Sequence, residues 1–240
     1  MKIEAFFNKI VSESRTLLPH DDIWYRGHSE TNYELVPTIY RAQDINEIGL
    51  FYEYKANVAA INNSNKEDWA LLLDMQHYGL PTRMLDWTTS LGTALFFALN
   101  GNSPSPCIWL LDPYELSQQS THNSIVYDTA QLNSHTANYN KNFDVSKILL
   151  RESQFTKPFS IQPPHSNRRI AAQRGRFTVH CKSQDSIEKQ CPAAVKKIDI
   201  PVNLIEPLKL YLQLFGIDYY SQFPDHYGLS SFLKKQFGIS

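Results

Sequence analysis

The chain has 240 residues and a formal net charge of -1; charged residues make up 20% and hydrophobic residues 42%, which are ordinary values for a globular protein. The near-neutral charge argues against broad electrostatic binding of nucleic acid. No apolar run approaches the roughly 18 residues that a membrane span needs.

The N-terminal segment MKIEAFFNKIVSES contains Glu4 and lacks the long apolar centre of a signal peptide. We therefore expect a cytoplasmic protein with no membrane partner. The length suits one large domain, and because no linker or internal repeat divides the chain, we expect a single domain over residues 1–240.

The first half of the chain alternates helical patterns with short strands. Apolar spacing predicts helices over residues 4–16, 42–61, 69–77 and 91–99, and strands over 23–27 and 84–87. Gly79 and Pro81 mark the end of the third helix, and residues 33–40, which include Pro37, are expected to be irregular.

The second half is less regular. Strands are predicted over 107–111, 168–181 and 195–200, helices over 205–215 and 230–237, and a polar surface insertion near 117–142. Helices that come first, followed by intermixed strands and helices, indicate an α+β fold rather than a βαβ alternation.

Two polar clusters stand beside apolar sequence. The run from Met75 to Asn100, MQHYGLPTRMLDWTTSLGTALFFALN, places many donors and acceptors ahead of an apolar helical stretch, and WYRGH from Trp24 to His28 has the same character. This pattern is typical of a polar ligand site at the mouth of a core element.

Arg26 lies where a predicted strand meets Gly27. A glycine at that place lets a ligand approach the backbone, and the planar guanidinium suits phosphate or carboxylate. A salt bridge at the rim of the core is the alternative role for Arg26.

Thr88, Thr89 and Ser90 place three hydroxyls at a predicted helix N-terminus. They could bind an anion or the polar groups of a nucleotide, or one of them could simply cap the helix. Trp87 could stack on a flat ring or belong to the core, and His77 alone is more often a structural hydrogen-bonding group than a base.

The third cluster is RRIAAQRGRFTVH. Gln173 can position a ribose hydroxyl but offers no carboxylate. Four arginines surround it and could hold phosphates or form a solvated strand edge: Arg168, Arg169, Arg174 and Arg176.

Several common motifs are absent from the sequence. It contains no HExxH, GxSxG, GxGxxG or GxxxxGK[ST] pattern, so metalloprotease, serine hydrolase, Rossmann and P-loop functions lack support. Cys107, Cys181 and Cys191 are widely spaced without CxxC, which favours buried thiols over a zinc site. No metal is expected.

The three clusters together resemble the FRG domain, a family named for a Phe/Tyr-Arg-Gly motif. That motif is Tyr25-Arg26-Gly27 here, followed by Leu35, Pro37 and Arg41 in the family's L-x-P…R arrangement. MQHYGLPTRMLDWT resembles the family's most distinctive stretch, RIAAQRGRFT its third block, and GIDYYSQFPD its closing block. The resemblance spans nearly the whole chain.

A second resemblance is to ADP-ribosyltransferases of the Arg-Ser-Glu type. Tyr-Arg-Gly at the end of a strand is similar to their first motif, and Thr88-Thr89-Ser90 before a helix is similar to their Ser-Thr-Ser motif. The resemblance implies a mixed or antiparallel sheet core with an N-terminal helical part, and NAD as substrate. In that superfamily the Arg holds a phosphate, the Ser-Thr-Ser strand supports the nicotinamide ribose, and a Glu on a later strand stabilises an oxocarbenium-like transition state.

The corresponding later strand here would be 170–179, where Gln173 is the nearest candidate for the Glu. A carboxylate about 4 Å from a developing cation is worth roughly 4 kcal/mol at an effective dielectric of 20, or about three powers of ten in rate. Asp86 or Glu152 could replace it, the target could itself stabilise the transition state, or the site could bind a nucleotide without this chemistry.

The resemblances imply an enzyme that binds NAD and transfers or hydrolyses its ADP-ribose part, as in toxins or antiphage effectors. Arg26, Thr88, Ser90, Asp86 and Gln173 are its candidate catalytic residues. The candidate NAD-binding residues are Tyr25, Arg26, Gly27, His28, Arg41, Gln76, His77, Tyr78, Arg83, Trp87, Thr88 and Thr89.

The alternatives are a binding module for a nucleotide or nucleic acid in defence or signalling, and a nuclease-like toxin that uses His77, Asp86 and Arg26. The expected partners are a nucleotide ligand, a protein or nucleic-acid acceptor, and an antitoxin or partner domain.

Overall fold

The computed structural model describes residues 1–17, 22–41, 45–62, 66–101, 103–132, 140–164 and 168–239. These ranges contain twelve α-helices and seven strands. The helices are α1 (Ile3–Leu17), α2 (Thr38–Arg41), α3 (Glu47–Asn62), α4 (Asp68–His77), α5 (Leu91–Leu99), α6 (Pro113–Thr121), α7 (Val145–Leu149), α8 (Arg168–Ala172), α9 (Ile187–Gln190), α10 (Ile205–Leu214), α11 (Tyr219–Gln222) and α12 (His226–Gln236). The strands are β1 (Trp24–His28), β2 (Met84–Thr88), β3 (Cys107–Leu111), β4 (Tyr127–Asp128), β5 (Phe159–Gln162), β6 (Gly175–Val179) and β7 (Val195–Asp199).

The strands form a mixed sheet in the order β4-β5-β6-β2-β1-β3-β7. β4 and β5 are parallel, and the other neighbouring strands are antiparallel. Helices pack on both sides of this sheet and between its ends. The α+β class predicted from the sequence is confirmed, whereas the likeness to ADP-ribosyltransferases stays a prediction.

The sheet opens at its centre. β1 pairs with β3 along its whole length and β2 does the same with β6, but within the described residues β1 and β2 pair only where Tyr25 faces Thr88. The two halves of the sheet, β4-β5-β6-β2 and β1-β3-β7, therefore diverge beyond that pair and leave a gap between β1 and β2.

α5 packs against β1 at the edge of this gap. Its residues are almost all apolar and mostly buried, and a Cβ on Gly27 would lie 2.0 Å from the carbonyl oxygen of Ala94 and 2.6 Å from the backbone nitrogen of Ala98. Gly27 is therefore required by the close approach of helix and strand. The close packing on α5 thus gives Gly27 a structural role beside the predicted one, which stays a prediction.

Three groups of buried apolar side chains make up the core. One lies under α3, α4 and α7 against β5 and β6. A second joins α1, α5 and α10 to β1, β3 and β7. The third contains Trp24, Trp87 and Trp109 together with the buried Cys107 and Cys191.

Residues 168–181 differ from the continuous strand predicted for them. Arg168–Ala172 form α8, and the strand begins at Gly175. Ile170, taken as a strand position, instead packs from α8 onto Gly175, where an added Cβ would lie 3.3 Å from its Cγ2. The alternating apolar residues therefore belong to two elements, α8 and β6, which pack on each other.

The polar segment 117–142 is built into the fold at its ends, unlike the surface insertion predicted there. Ser117 is buried on α6 and its Oγ lies 2.5 Å from Oγ of Ser160 on β5. Tyr127 is buried against Phe143 and Phe159 and pairs with Ile161. Residues 133–139 lie outside the described residues.

No helix in the described ranges has both the length and the apolar character to cross a membrane.

Candidate functional site

A cleft of about 320 Å³ lies where β1 and β2 diverge, beside α5. Its volume is near the lower end of the range typical of small-molecule sites. Ten residues predicted for the site line it: Tyr25, Arg26, Gly27, His28, Arg41, Gln76, Asp86, Trp87, Thr88 and Gln173. It is also lined by Ser29, Tyr33, Thr93, Ala94, Phe97 and Arg169.

Arg26 spans the gap in the sheet. Its Nη1 donates to the backbone carbonyl oxygen of Asp86 at 2.5 Å, a group that a regular strand pair would engage through a backbone N–H. Its Nε donates to Nε2 of His28 at 3.0 Å, and within the described residues no protein group bonds Nη2. The guanidinium is thus fixed at two points while one nitrogen stays available in the cleft.

His28 is only 7% exposed. Because Nε2 accepts from Arg26, the ring must carry its proton on Nδ1, which lies 3.2 Å from the carbonyl oxygen of Tyr33. Burial, and then the nearby Arg26, lower the pKa of His28 to about 3. The imidazole is therefore neutral near pH 7 and serves Arg26 as an acceptor.

Asp86 brings a carboxylate to the cleft. Its side chain is 58% exposed, and Oδ2 lies 3.8 Å from Nη1 of Arg26. Gln76 donates to the same oxygen at 2.7 Å, and Thr82 donates in turn to Oε1 of Gln76. This chain of hydrogen bonds orients a solvent-accessible acid toward the gap.

The charge of the cleft is mostly positive. Arg26, Arg41 and Arg169 line it, and Asp86 is the carboxylate among the described lining residues. Burial lowers the pKa of Arg26, and Arg41 lowers it further, while Asp86 acts in the opposite direction. Guanidiniums close enough to repel each other favour an anionic ligand between them.

The hydroxyls of Thr88 and Ser90, which were predicted to bind a ribose, already form hydrogen bonds within the protein. Thr88 donates to the carbonyl oxygen of Gln173 at 2.6 Å and accepts from the backbone N–H of Ser90 at 2.9 Å. Ser90 caps α5 by accepting from the N–H of Thr93, and the N–H of Thr89 donates to the carbonyl oxygen of Arg174. Helix capping therefore explains Ser90, the hydroxyl of Thr88 is occupied by Gln173 and Ser90, and neither Thr89 nor Ser90 lines the cleft.

Gln173 lies at the end of α8, where the chain turns toward β6. Its Nε2 donates to the carbonyl oxygen of Gln222 at 3.1 Å, and Arg174 next to it has a φ of 48°. The backbone carbonyl of Gln173 accepts a hydrogen bond from the hydroxyl of Thr88, and that of Arg174 accepts one from the N–H of Thr89. The turn is thus tied to the start of α5, and Gln173 is held at the cleft without a carboxylate.

Arg83 is a correction to the predicted site. Its side chain is 0% exposed and makes a two-point ion pair with Glu47, with distances of 2.9 Å and 2.6 Å. Its remaining donors bond backbone carbonyl groups, including that of Ile148 at 2.5 Å. Since all its donors are committed inside the core, Arg83 is structural.

His77 and Tyr78 do not line the cleft. They end α4 with their rings in edge contact, 4.8 Å between centroids, and Tyr78 is 72% exposed. The carbonyl of His77 accepts a hydrogen bond of 3.4 Å from Arg169. Their predicted role in binding NAD is therefore not supported, and His77 does not join Arg26 and Asp86 in the cleft as a nuclease-like site requires.

Two further candidates differ from their predicted roles. Trp87 lines the cleft, but its side chain is buried in the core and its Nε1 donates to Oγ1 of Thr178 at 3.0 Å, so packing accounts for it. Glu152, an alternative acid, is exposed in the turn after α7 and does not line the cleft.

Two of the four arginines of the third cluster have different surroundings. Arg169 lies in the cleft with its guanidinium carbon 4.7 Å from the centroid of the Phe223 ring. Arg176 is half-buried and interacts with Asp22 and Tyr114. Arg169 is therefore the member of this cluster that lines the cleft.

Tyr33, Phe97 and Ser29 were missed by the sequence analysis. Tyr33 follows the Tyr-Arg-Gly strand by a few residues in an irregular segment without a periodic signal, and Phe97 belongs to the apolar run of α5. The bond from His28 to the carbonyl of Tyr33 constrains this irregular segment. No motif on the chain would have revealed it.

The cysteines do not contribute to the cleft. All three are free and buried, and burial raises the pKa of Cys107 and Cys191 to about 11 and that of Cys181 to about 12. Among the described residues, no group of three or more His, Cys, Asp or Glu side chains is placed to hold a metal ion.

The comparisons with known proteins gave one finding. Residues 21–106 match the family model of the FRG domain, a stretch that includes both the Tyr-Arg-Gly motif and the QHYGLPTRMLDWT motif. No curated protein and no solved structure matches the chain. The family resemblance predicted from these two motifs is confirmed over residues 21–106, whereas the third and closing blocks lie outside the matched residues.

Proposed function

We propose that the cleft binds a nucleotide through its phosphate, with NAD as the substrate, and that it transfers or hydrolyses the ADP-ribose part. The observation that carries this proposal is the set of three guanidiniums, Arg26, Arg41 and Arg169, gathered with the Asp86 carboxylate in a cleft of about 320 Å³. A volume of this size accommodates part of a dinucleotide, and the rest would lie along the open side of the gap.

Arg26 and Arg41 bind phosphate in this proposal. Arg26 keeps Nη2 without a protein partner among the described residues, and Arg41, at the end of α2, spends one bond of 3.2 Å on Oγ1 of Thr38. Arginine forks bond phosphate oxygens more strongly than neutral donors do. Arg169 supplies further positive charge on the α8 side of the cleft.

Asp86 supplies the carboxylate that Gln173 lacks. The bond between the nicotinamide nitrogen and C1′ of its ribose breaks, nicotinamide leaves with the electron pair, and water or an acceptor nucleophile adds to C1′ and releases its proton. A carboxylate about 4 Å from the cationic ribose would contribute roughly 4 kcal/mol at an effective dielectric of 20. The bond from Gln76 holds Asp86 in place for this role.

The proposal is tested by calorimetric titration with NAD, followed by chromatography of free nicotinamide after incubation with cell extract. Arg26→Lys keeps the charge but loses the fork, so NAD affinity should fall while the melting temperature stays close to that of the native protein. Arg15→Lys, on exposed α1, is the matched control and should change neither. Equal NAD affinity in Arg26→Lys and Arg15→Lys would reject the phosphate role of Arg26.

The role of Asp86 is tested separately. Asp86→Asn should abolish nicotinamide release but keep NAD affinity, because the amide is uncharged and similar in shape. Asp68→Asn, which removes an exposed carboxylate paired with Lys55 outside the cleft, should leave both quantities unchanged. Full turnover in Asp86→Asn would exclude Asp86 as the acid.

A second candidate function is a binding module that recognises a nucleotide without cleaving it. The observation in its favour is Gln173, the nearest candidate for the superfamily's Glu, which has no carboxylate and already donates its amide to the carbonyl of Gln222. Binding of NAD without release of nicotinamide would establish this function in place of the first.

The biological setting follows from the acceptor. Transfer to a protein or nucleic acid of the host would suit a toxin or an antiphage effector, which an antitoxin or partner domain would restrain. Incubation of the protein with labelled NAD and cell extract, followed by separation of protein from nucleic acid, would identify the acceptor class.

A further inference from the structure

We propose that His28 is a positioning residue: as a neutral imidazole with its proton on Nδ1, it fixes the guanidinium of Arg26 across the gap between β1 and β2. The consequence for ligand affinity rests on the proposed phosphate role of Arg26. The hydrogen bonds themselves do not depend on that role.

The geometry defines the arrangement. Arg26 and His28 are two residues apart on β1, so their side chains leave the strand on the same face. Nε of Arg26 lies 3.0 Å from Nε2 of His28, and Nη1 of Arg26 lies 2.5 Å from the carbonyl oxygen of Asp86. With only one of these hydrogen bonds, the guanidinium could rotate about that bond. The two hydrogen bonds together fix the plane of the guanidinium.

The second ring nitrogen anchors the imidazole. Nδ1 of His28 lies 3.2 Å from the carbonyl oxygen of Tyr33, which can only accept. Nδ1 must therefore carry the proton, and Nε2 is left as the acceptor that Arg26 needs. The ring of Tyr33 lies in edge contact with the imidazole, 6.1 Å between centroids, so the same bond places an aromatic side chain at the edge of the cleft.

The surroundings keep the ring neutral. The charged side chains that act on His28 are Arg26 on β1, Arg41 on α2 and Lys197 on β7, and all three disfavour a second proton. Protonation would also replace the acceptor at Nε2 with a donor that faces a guanidinium. A group that could accept at this position but could never take up a proton should therefore serve equally well.

Two substitutions separate the contacts of His28. In His28→Gln the amide oxygen can take the position of Nε2 and accept from Arg26. In His28→Asn the shorter amide reaches the position of Nδ1 and can bond Tyr33, but it does not reach Arg26. His28→Asn is one methylene shorter than His28→Gln and leaves more empty volume, so a merely structural role would appear in the melting temperature, whereas the positioning role appears at the Nε–H of Arg26.

The first readout needs no ligand. In the full chain labelled with ¹⁵N at arginine and histidine, nuclear magnetic resonance at pH 7 should show a neutral Nδ1–H tautomer for His28 and a protected Nε–H for Arg26. Hydrogen exchange of that Nε–H should stay slow in His28→Gln and accelerate about tenfold in His28→Asn, the factor that corresponds to 1.4 kcal/mol.

The second readout is the dissociation constant for NAD. It should stay within about twofold of the native value in His28→Gln and rise about tenfold in His28→Asn. His180→Asn is the control, because His180 is also fully buried and neutral but bonds Asp185 away from the cleft. It should leave both readouts unchanged even where the melting temperature falls.

The outcomes are distinct. Equal exchange of the Arg26 Nε–H in His28→Gln and His28→Asn, or an Nε2–H tautomer or an imidazolium at pH 7, would overturn the positioning role. A native protein that fails to bind NAD but shows the expected exchange pattern would overturn the NAD proposal and support the positioning of Arg26 by His28.

Discussion

Gly27 sets how closely α5 can approach β1, and Gly27→Ala tests this contact. An ideal Cβ at this position would lie 2.0 Å from the carbonyl oxygen of Ala94, 3.0 Å from its carbonyl carbon and 2.6 Å from the backbone nitrogen of Ala98. All three atoms belong to helix backbone, so no side-chain rotation relieves the overlap. The helix must retreat from the strand by roughly 1 Å, given that carbon and oxygen atoms normally approach to about 3.3 Å.

The loss of stability in Gly27→Ala depends on the buried side chains of α5. Its inner face holds buried residues such as Leu95 and Leu99, and a gap of about 0.5–1 Å forfeits a quarter to a half of each dispersion contact. Overpacking of a core usually costs about 1–3 kcal/mol, and the overlap with backbone puts Gly27→Ala at or above about 3 kcal/mol. The reduced freedom of the unfolded chain offsets about 0.4–1 kcal/mol of this.

The assay is thermal unfolding followed by circular dichroism. For a domain of this size, 1 kcal/mol corresponds to about 2–4 °C, so Gly27→Ala should melt roughly 5–10 °C below the native protein. Gly49→Ala on α3 is the matched control, since its Cβ would meet the flexible side chain of Asn46 and alanine has the higher helix propensity. A melting temperature of Gly27→Ala within about 2 °C of that of Gly49→Ala would refute the reasoning.

Three further predictions concern stability. Glu47→Gln should cost about 3–5 kcal/mol in urea unfolding because it leaves the guanidinium of Arg83 buried without its counter-ion; a cost below about 1 kcal/mol would mean that the backbone carbonyls suffice. Stability should fall as the pH drops from about 6.5 toward 3: the pKa of His28 and of His180 is about 3 in the folded protein, below its ordinary value, so the unfolded chain takes up these protons first. Each histidine then contributes up to about 1.4 kcal/mol of unfolding free energy per pH unit. His180→Asn should reduce the dependence of the unfolding free energy on pH. An unfolding free energy that stays constant between pH 6 and 4 would contradict the pKa shifts. Arg174→Gly should raise the melting temperature slightly, because a φ of 48° strains a residue with a side chain by about 1 kcal/mol; a fall would show that the arginine makes a compensating contact.

The elements that the sequence predicted best are those whose ends are set by residues nearby in the sequence. α5 runs from Leu91 to Leu99 as predicted, because Ser90 caps it and its residues are almost uniformly apolar. α4 ends before Gly79, whose φ of 80° is available to glycine without strain. Such signals act within a few residues and need no knowledge of the rest of the fold.

The missed elements are those defined by distant partners. β5 is four residues long, too short for a clear alternation, and exists through its pairing with β6. α6 is an exception, a helix that was not predicted although its signal is local: Asp112 caps it by accepting from two backbone N–H groups, and Pro113 occupies its first turn.

The same division applies to the cleft. The motifs predicted the strand of Arg26 and the strand of Asp86, and both residues were assigned to one site. It could not tell which polar groups the fold consumes, because Arg83 is neutralised by Glu47 and the hydroxyl of Thr88 is committed to Gln173. The availability of a donor is set by its partners across the fold, which no local pattern encodes.

The gap between β1 and β2 explains why polar residues are so dense in the two motifs. Where strands separate, backbone groups lose their partners, and each buried group must find another. The carbonyl of Asp86 bonds the Arg26 guanidinium instead of a strand, and Arg26 in turn needs His28 to hold its plane. A chain that paired β1 and β2 fully would satisfy these groups with backbone alone, and would have neither a cleft nor a use for these side chains. Arg26, which makes the opening tolerable, is therefore also one of the residues that place positive charge in it.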